Sequence, residues 1–428
     1  MKKRKNNFIV IFILVLSAAF FRDCRTYSSN SVTRQNFATQ YYNDQKVMRP
    51  DYVLFNVNDS LTRMYFSVNS TELLYQKNNY DNGYTARLQL TYIVHPVVYS
   101  KIITDSGRVI LSDAGQPGIS KLLASHVDMD IYDPGQYYVE VIFHDMNKMV
   151  SSYELLYLDH RGKNSRNNFL ITEENSNTPL FRSFVEKDEK FSIRYQNENF
   201  SHFYVSWYRN TAGPAAPPYS TGERKVITHP DSTWKMDLTL HDPVNLPMEG
   251  YYTFSTDSLN GEGIAVVRFH DEFPKILIAR QLVYPLRYLT TRDEYARIDT
   301  SANVKKSVDQ FWLNNTGSEE RAREVIRNFY NRVEAANTLF STEIEGWKTD
   351  RGMIYLIFGP PENVYRSVNS ESWIYGMGGN SNGLTFIFDH KDNAFTDQEF
   401  VLSRNTDYRL NWITAVDAWR QGHVYTLR

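Results

Sequence analysis

One cysteine, Cys24, is present in 428 residues, so no internal disulfide can form and no cysteine pair can hold a metal. The ten histidines form no H-E-x-x-H and no pair at i, i+4, which removes a helical zinc site. The phosphate-cradling pattern G-x-x-x-x-G-K-[ST] is absent. Gly376-Met377-Gly378-Gly379-Asn380-Ser381-Asn382-Gly383 is glycine-rich but lies between two expected strands. Phosphate loops lead from a strand into a helix, so this one reads as a hairpin loop. Glycine and proline total only 35 residues, which excludes a fibrous repeat. A membrane-spanning run is missing as well. The longest apolar stretch, Phe8 to Phe21, falls short of the roughly 18–20 residues a bilayer core requires.

What is present is an address and an architecture. Lys2, Lys3, Arg4 and Lys5 precede that apolar stretch, the order of a secretory signal. Cys24 follows it, a solitary cysteine that resembles the lipidated residue of bacterial lipoproteins, although Phe21-Arg22-Asp23 departs from the small residues usual before it. The expectation is a signal peptide over 1–23 and lipidation at Cys24. The next residues, Arg25-Thr26-Tyr27-Ser28-Ser29-Asn30, are not acidic and so do not resemble the surface-export tag of Bacteroidota lipoproteins, which implies a periplasmic face over the cell surface. Removing residues 1–23 takes five basic groups and one acid from totals of 47 and 49, leaving a net charge of −6. That balance argues against nucleic acid as a general partner, which needs a basic face.

Residues 24–48 are polar and read as a flexible tether. From there to 163 the dominant period is two. Leu88, Leu90, Tyr92 and Val94 alternate with polar residues, as do Tyr137, Val139, Val141 and Phe143, with turn signals at Asp133-Pro134-Gly135 and His144–Lys148. A second such module spans 164–276, with Phe191, Ile193, Tyr195 and Phe203, Val205, Trp207, then Trp234, Met236, Leu238 and Leu240. Its stretch 211–218 holds three prolines and a glycine and must be a loop. Gly250, Tyr251, Tyr252 and Asp257 loosely echo Gly135, Tyr137, Tyr138 and Asp145. Two immunoglobulin-like β-sandwiches fit this pattern.

After residue 277 helical spacing takes over. Val304, Val308, Phe311 and Trp312 share one face. Ser318 is a candidate N-cap for a long helix whose stripe runs through Ala322, Val325, Ile326, Phe329, Tyr330, Val333, Asn337 and Phe340. The apolar run Met353–Phe358, ended by Gly359-Pro360-Pro361, reads as a strand buried on both faces. Trp373–Tyr375, Leu384–Phe388 and Phe400–Leu402 read as further strands, and Trp412, Val416 and Trp419 as a last helix. Residues 277–428 are therefore expected to form an α+β domain, and the whole chain to be multi-domain and β-rich.

Between the long helix and the apolar run stands Glu345-Gly346-Trp347-Lys348-Thr349-Asp350-Arg351-Gly352. With Phe311-Trp312, Arg332–Asn337 and Phe358–Pro361, this resembles the GWxTD domain, a family of exported bacterial envelope proteins found notably in Bacteroidota, over about residues 280–425. The resemblance implies an envelope location and brings no established activity. Physically, Gly346 could close a helix in the left-handed conformation, Trp347 could cover a helix-to-sheet junction, Thr349 or Asp350 could accept turn amides, Asp350 could pair with Arg351 or another cation, and Gly352 could allow close approach. Alternatively the motif is a partner-docking loop with Trp347 and Arg351 as exposed anchors. Glu343, Glu345, Asp350, Glu362 and Glu371 cluster in sequence, and two of them could serve as acid and base in a hydrolase.

The resulting expectation is a non-enzymatic cell-envelope protein without cofactor or metal, held by an N-terminal lipid anchor to the periplasmic face of the outer membrane. It would serve envelope protein partners as a scaffold or accessory subunit of an outer-membrane or secretion-related assembly. Its rivals are carbohydrate or peptidoglycan binding, which predicts coplanar aromatics lining a groove, and hydrolysis by the carboxylates near the motif.

Overall fold

The computed structural model describes residues 35–427 except 43–47, 78–82, 100, 198–199, 211, 223–228, 238–241, 259–262, 377–382 and 394–395. The leader, Cys24, Leu238, Leu240 and Met377–Asn382 lie outside the described residues. Eight strands come first: β1 (Asp51–Asn58), β2 (Leu61–Asn69), β3 (Gln76–Lys77), β4 (Tyr84–Pro96), β5 (Asp105–Gly115), β6 (Leu122–Asp130), β7 (Gln136–Asp145) and β8 (Val150–Asp159). The sheet β1-β2-β6 faces a second sheet in which β4 pairs with β5 and β7, and β7 with β8. Met64, Phe66 and Val68 of the first sheet share one core with Leu88, Leu90, Val141 and Phe143 of the second, which is why the period-two residues alternate in burial along β4 and β7.

A second pair of sheets follows: β9 (Phe169–Glu173), β10 (Phe184–Val185), β11 (Lys190–Tyr195), β12 (His202–Tyr208), β13 (Ser232–Asp237), β14 (Val244–Asn245), β15 (Gly250–Ser255) and β16 (Ile264–Arg268). The order β10-β16-β15-β12-β13 opposes β14-β11-β9. The echo between the modules has a physical content. The Tyr137 hydroxyl donates to the Asp133 carbonyl at 2.7 Å, and the Tyr252 hydroxyl donates to the Met248 carbonyl at 3.0 Å, each four residues back. Both tyrosines thus pin the corner that feeds their strand.

The C-terminal part holds α1 (Ala279–Val283), α2 (Arg292–Asp299), α3 (Val304–Thr316), α4 (Glu319–Phe340), α5 (Asp350–Phe358) and α6 (Tyr408–Arg420), with a sheet β17 (Asn363–Arg366), β18 (Ser370–Tyr375), β19 (Leu384–His390) and β20 (Phe400–Leu402) in sequential order. The Ser318 hydroxyl accepts from the Arg321 amide and opens α4, whose stripe is buried apart from half-buried Ile326. The run Met353–Phe358 is a helix and not a strand. Every residue of α5 after Asp350 is buried, and its run Met353–Phe358 is apolar on every face and so carries no 3.6-residue signal.

The tether reading fails over residues 36–42. A 3-10 turn at Ala38–Tyr41 is wedged into the C-terminal core, with Phe37, Ala38 and Tyr41 buried. The Phe37 amide donates to the Val364 carbonyl at 2.9 Å, and the Tyr355 hydroxyl donates to the Tyr41 carbonyl at 2.9 Å. No helix among the described residues is long and apolar enough to cross a membrane.

Candidate functional site

The motif is a turn between two helices. After α4 ends at Phe340, the chain doubles back so that a 3-10 turn, Gly346–Lys348, lies against α4 and feeds α5. Gly346 has no left-handed φ. Its role is close approach, since a Cβ there would stand 1.9 Å from the Ala336 carbonyl oxygen. A Cβ on Gly352 would stand 1.8 Å from the Gly346 carbonyl oxygen. Two glycines therefore let three backbone segments touch. The Thr349 hydroxyl accepts from the Gly352 amide at 3.0 Å, capping α5, and donates to the Gly346 carbonyl at 2.8 Å.

Asp350 is consumed by an ion pair. Its carboxylate receives Arg404 Nη2 at 2.6 Å, Arg404 Nη1 at 3.1 Å and the Leu402 amide at 2.9 Å. The cation is thus Arg404, not Arg351. Arg351 instead points inward over the Phe400 ring at 4.1 Å, donates to Gln398 and lies 3.6 Å from Glu371. Trp347 is 4% exposed and Arg351 2%, so neither is an exposed anchor.

Glu371 is fully buried and holds a second knot. Its carboxylate takes Arg366 Nε at 2.8 Å, the Tyr41 hydroxyl at 2.7 Å and the Trp373 indole N–H. Burial alone would raise this carboxyl. Arg366 and Arg351 outweigh burial and, with the Tyr41 and Trp373 donors, hold it below the usual carboxylate range. Arg366 also bonds Glu154 of β8, so one guanidinium joins the first β module, the wedge and the C-terminal sheet. Of the other acids, Glu345 pairs with Lys348, while the Glu343 and Glu362 carbonyls accept from Asn210 and Asn36. The sequence places these groups near one another only in one dimension; the structure gives Asp350, Glu345 and Glu371 separate cations. Among the described residues no three His, Cys, Asp or Glu side chains converge to hold a metal.

The second β module reaches the same turn. Its proline-rich loop places the Ala215 amide on the Lys348 carbonyl at 2.9 Å, and Arg404 reaches the Ala216 carbonyl at 3.2 Å. Sequence reasoning missed Arg404 and this loop contact, because nothing local ties residues 215 and 404 to 348–350. A cavity of about 320 Å³ reaches Arg351, Arg366 and Tyr41 themselves, and two more lie further out. One, about 360 Å³, lies among the first module, the link after it and the loop following β19, where Tyr157 stacks on His390 at 4.0 Å. The other, about 750 Å³, lies between the 214–219 loop, the Arg287–Arg292 segment and α6. The letters G-x-S-x-G occur at Gly379–Gly383, in sequence between β18 and β19, and Gly379–Asn382 lie outside the described residues.

These features define a β-rich, multi-sheet protein whose C-terminal helices close over a glycine-tightened turn. Residues 250–421 match the GWxTD domain family. The match begins at Gly250, the first residue of β15, and not near residue 280. No curated protein matches the chain. Among solved structures, similarity is found to Bacteroides uniformis beta-glucuronidase, at 8% identity and a TM-score of 0.19, over 34% of this chain and 14% of that one. Red sea bream transglutaminase is matched at 11% identity and a TM-score of 0.19, over 52% and 31%. The chain thus spans less than a third of either relative, and at these scores neither bears on its fold or activity.

Proposed function

We propose that this chain is a non-enzymatic scaffold of the bacterial cell envelope, exported by its basic-apolar leader and anchored through Cys24 to the periplasmic face of the outer membrane. It serves as an interaction or accessory subunit of an outer-membrane or secretion-related assembly. The observation that carries this reading is the use of the motif's polar groups. Thr349 caps α5, Asp350 holds Arg404, and Arg351 lies between Phe400 and Glu371, all in contacts inside the C-terminal domain, while Lys348, Arg404 and Arg366 beside them carry the contacts to the two β modules. A rigid multi-part body supports binding better than it supports acid–base chemistry, which needs a carboxyl free to exchange a proton. We read both β modules as immunoglobulin-like, and the paired sheets and matching tyrosine corners support this.

The test is a crosslinked pull-down of the full-length protein from membranes. A stoichiometric envelope partner is expected, and recovery of the protein alone sinks the scaffold reading. Replacing Cys24 by alanine is expected to move the protein to the soluble fraction; unchanged membrane association rejects the anchor. A second reading, saccharide binding, draws on the 360 Å³ cavity, whose polar amides and acids surround the Tyr157–His390 stack. Asn369→Ala and Asn393→Ala would then abolish retention on immobilised peptidoglycan, and absence of retention by the unaltered protein would dismiss it.

A further inference from the structure

We infer that the 750 Å³ groove beside the motif is the docking site for an acidic peptide segment of another protein, one carrying a large apolar side chain between its acids. The inference rests on the scaffold reading and names the surface that does the work. The groove lies in the size range of ligand-binding clefts and has an apolar floor. Tyr288 and Trp412, both buried, meet edge to face at its base, and the Tyr288 hydroxyl donates to the Trp347 carbonyl at 3.2 Å. The motif therefore sets the floor's position from beneath.

One wall is the 214–219 loop, whose prolines restrict it before any partner arrives and lower the ordering cost of binding. The opposite wall is α6, which has two apolar faces. Trp412, Ala415 and Trp419 point into the core, whereas Leu410 is 75% exposed and Ile413 40% exposed, one turn apart on the outside. A helix that has already buried one stripe gains nothing within the monomer from a second. Ile413 and Val416, which line the groove, fit a partner's apolar anchor, and the aromatic floor is of the kind that dominates binding energy.

Charge selects the partner's sign. Of the four charged side chains lining the groove, three are arginines, in a chain whose net charge is −2. Arg420 is spent on Glu294, with both its Nη atoms 2.9 Å from the carboxylate. That leaves Arg287 and Arg292, exposed on either side of Leu289, against Asp417 alone. Arg287 rests over the Tyr295 ring, and Arg292 has no ion pair among the described residues. Two rim arginines above an apolar floor recognise carboxylates flanking a hydrophobic side chain.

The experiment is selection of random dodecapeptides displayed on phage against the purified mature protein, followed by binding of the enriched peptide in solution. Enriched peptides are expected to carry two or more Asp or Glu around Leu, Phe or Trp. Arg287→Glu with Arg292→Glu should weaken the enriched peptide at least about tenfold, and Ile413→Asp should abolish binding. Arg108→Glu, on the distant exposed edge of β5, should change nothing, and circular dichroism checks that each variant is folded. Enrichment of basic or uncharged peptides, failure to enrich any, indifference to the arginine reversals, or self-association through this face would overturn the proposal. A membrane partner crosslinked elsewhere on the surface would sink the groove and leave the scaffold intact.

Discussion

Replacing Gly352 by alanine tests the architecture of the motif through the sign of one free-energy change. Gly352 is the third residue of α5 and has no left-handed φ, so an exposed helix would gain about 1 kcal/mol from alanine there. Here the new Cβ would lie 1.8 Å from the Gly346 carbonyl oxygen and 3.0 Å from the Trp347 Cα. Real Cβ contacts essentially never fall below 3.0 Å, so the two backbone segments must part by more than 1 Å. That movement strains the Thr349 hydrogen bonds, which span 2.8 Å to Gly346 and 3.0 Å to Gly352. Overpacking costs about 1–3 kcal/mol and a lost cap about 1 kcal/mol. After subtracting the propensity gain, a net loss of about 1–3 kcal/mol is expected. Urea titration followed by tryptophan fluorescence reads it, because Trp347, Trp373 and Trp412 all lie in that core. Gly162→Ala is the control: no atom lies within 4 Å of its would-be Cβ, and a change within about 0.5 kcal/mol is expected. An unchanged or more stable Gly352→Ala protein would refute the close-packed turn.

Other consequences follow from the same contacts. Asp350→Ala strips a largely buried Arg404 of its counter-charge and should destabilise by about 3 kcal/mol, while limited proteolysis should newly cut the 214–219 loop that Arg404 steadies; resistance of that loop would count against the joint. Tyr41→Ala removes a buried ring and a donor to Glu371, and a loss of about 3 kcal/mol is expected where a flexible tether would show none. The Arg420 hydrogen bond holds the Glu294 carboxyl down to about 2, against an ordinary 4.5. Its contribution is therefore complete above pH 4.5 and lost as pH falls toward 2, and carboxyl NMR titration should place the midpoint well below an exposed glutamate. Arg420→Gln should return that midpoint to the ordinary range.

Periodicity in the sequence located those elements that keep one face in water. The α4 stripe and the alternation in β4 and β7 were readable because their solvent faces are polar. α5 has no such face, and six apolar residues in a row carry the same letters in a buried strand as in a buried helix. A better signal was present in Thr349, which prefers caps, and in Gly359, whose φ of 85° ends the helix. The candidate site was half legible. Gly352 pointed to close approach, and Asp350 to a cation, whereas Gly346 was read as a left-handed helix end, and the identity of the cation depends on a residue 54 positions away. The wedge at Phe37–Tyr41 was hidden by its polar neighbours: two aromatics among Ser, Thr, Asn and Gln look like linker until the pocket that receives them exists.

That wedge also fixes the order of assembly. Asn36 bonds Asn363, and Tyr41 bonds Glu371, contacts 327 and 330 residues apart along the chain. A polypeptide delivered N-terminus first must leave Phe37 and Tyr41 unsatisfied until almost the last strand has emerged, and loop closure over such a span is slow. The C-terminal domain is for the same reason not a separable piece. A fragment beginning at residue 277 would lack both its earliest-made plug and the Ala215 loop, and would expose the hollow that each one fills.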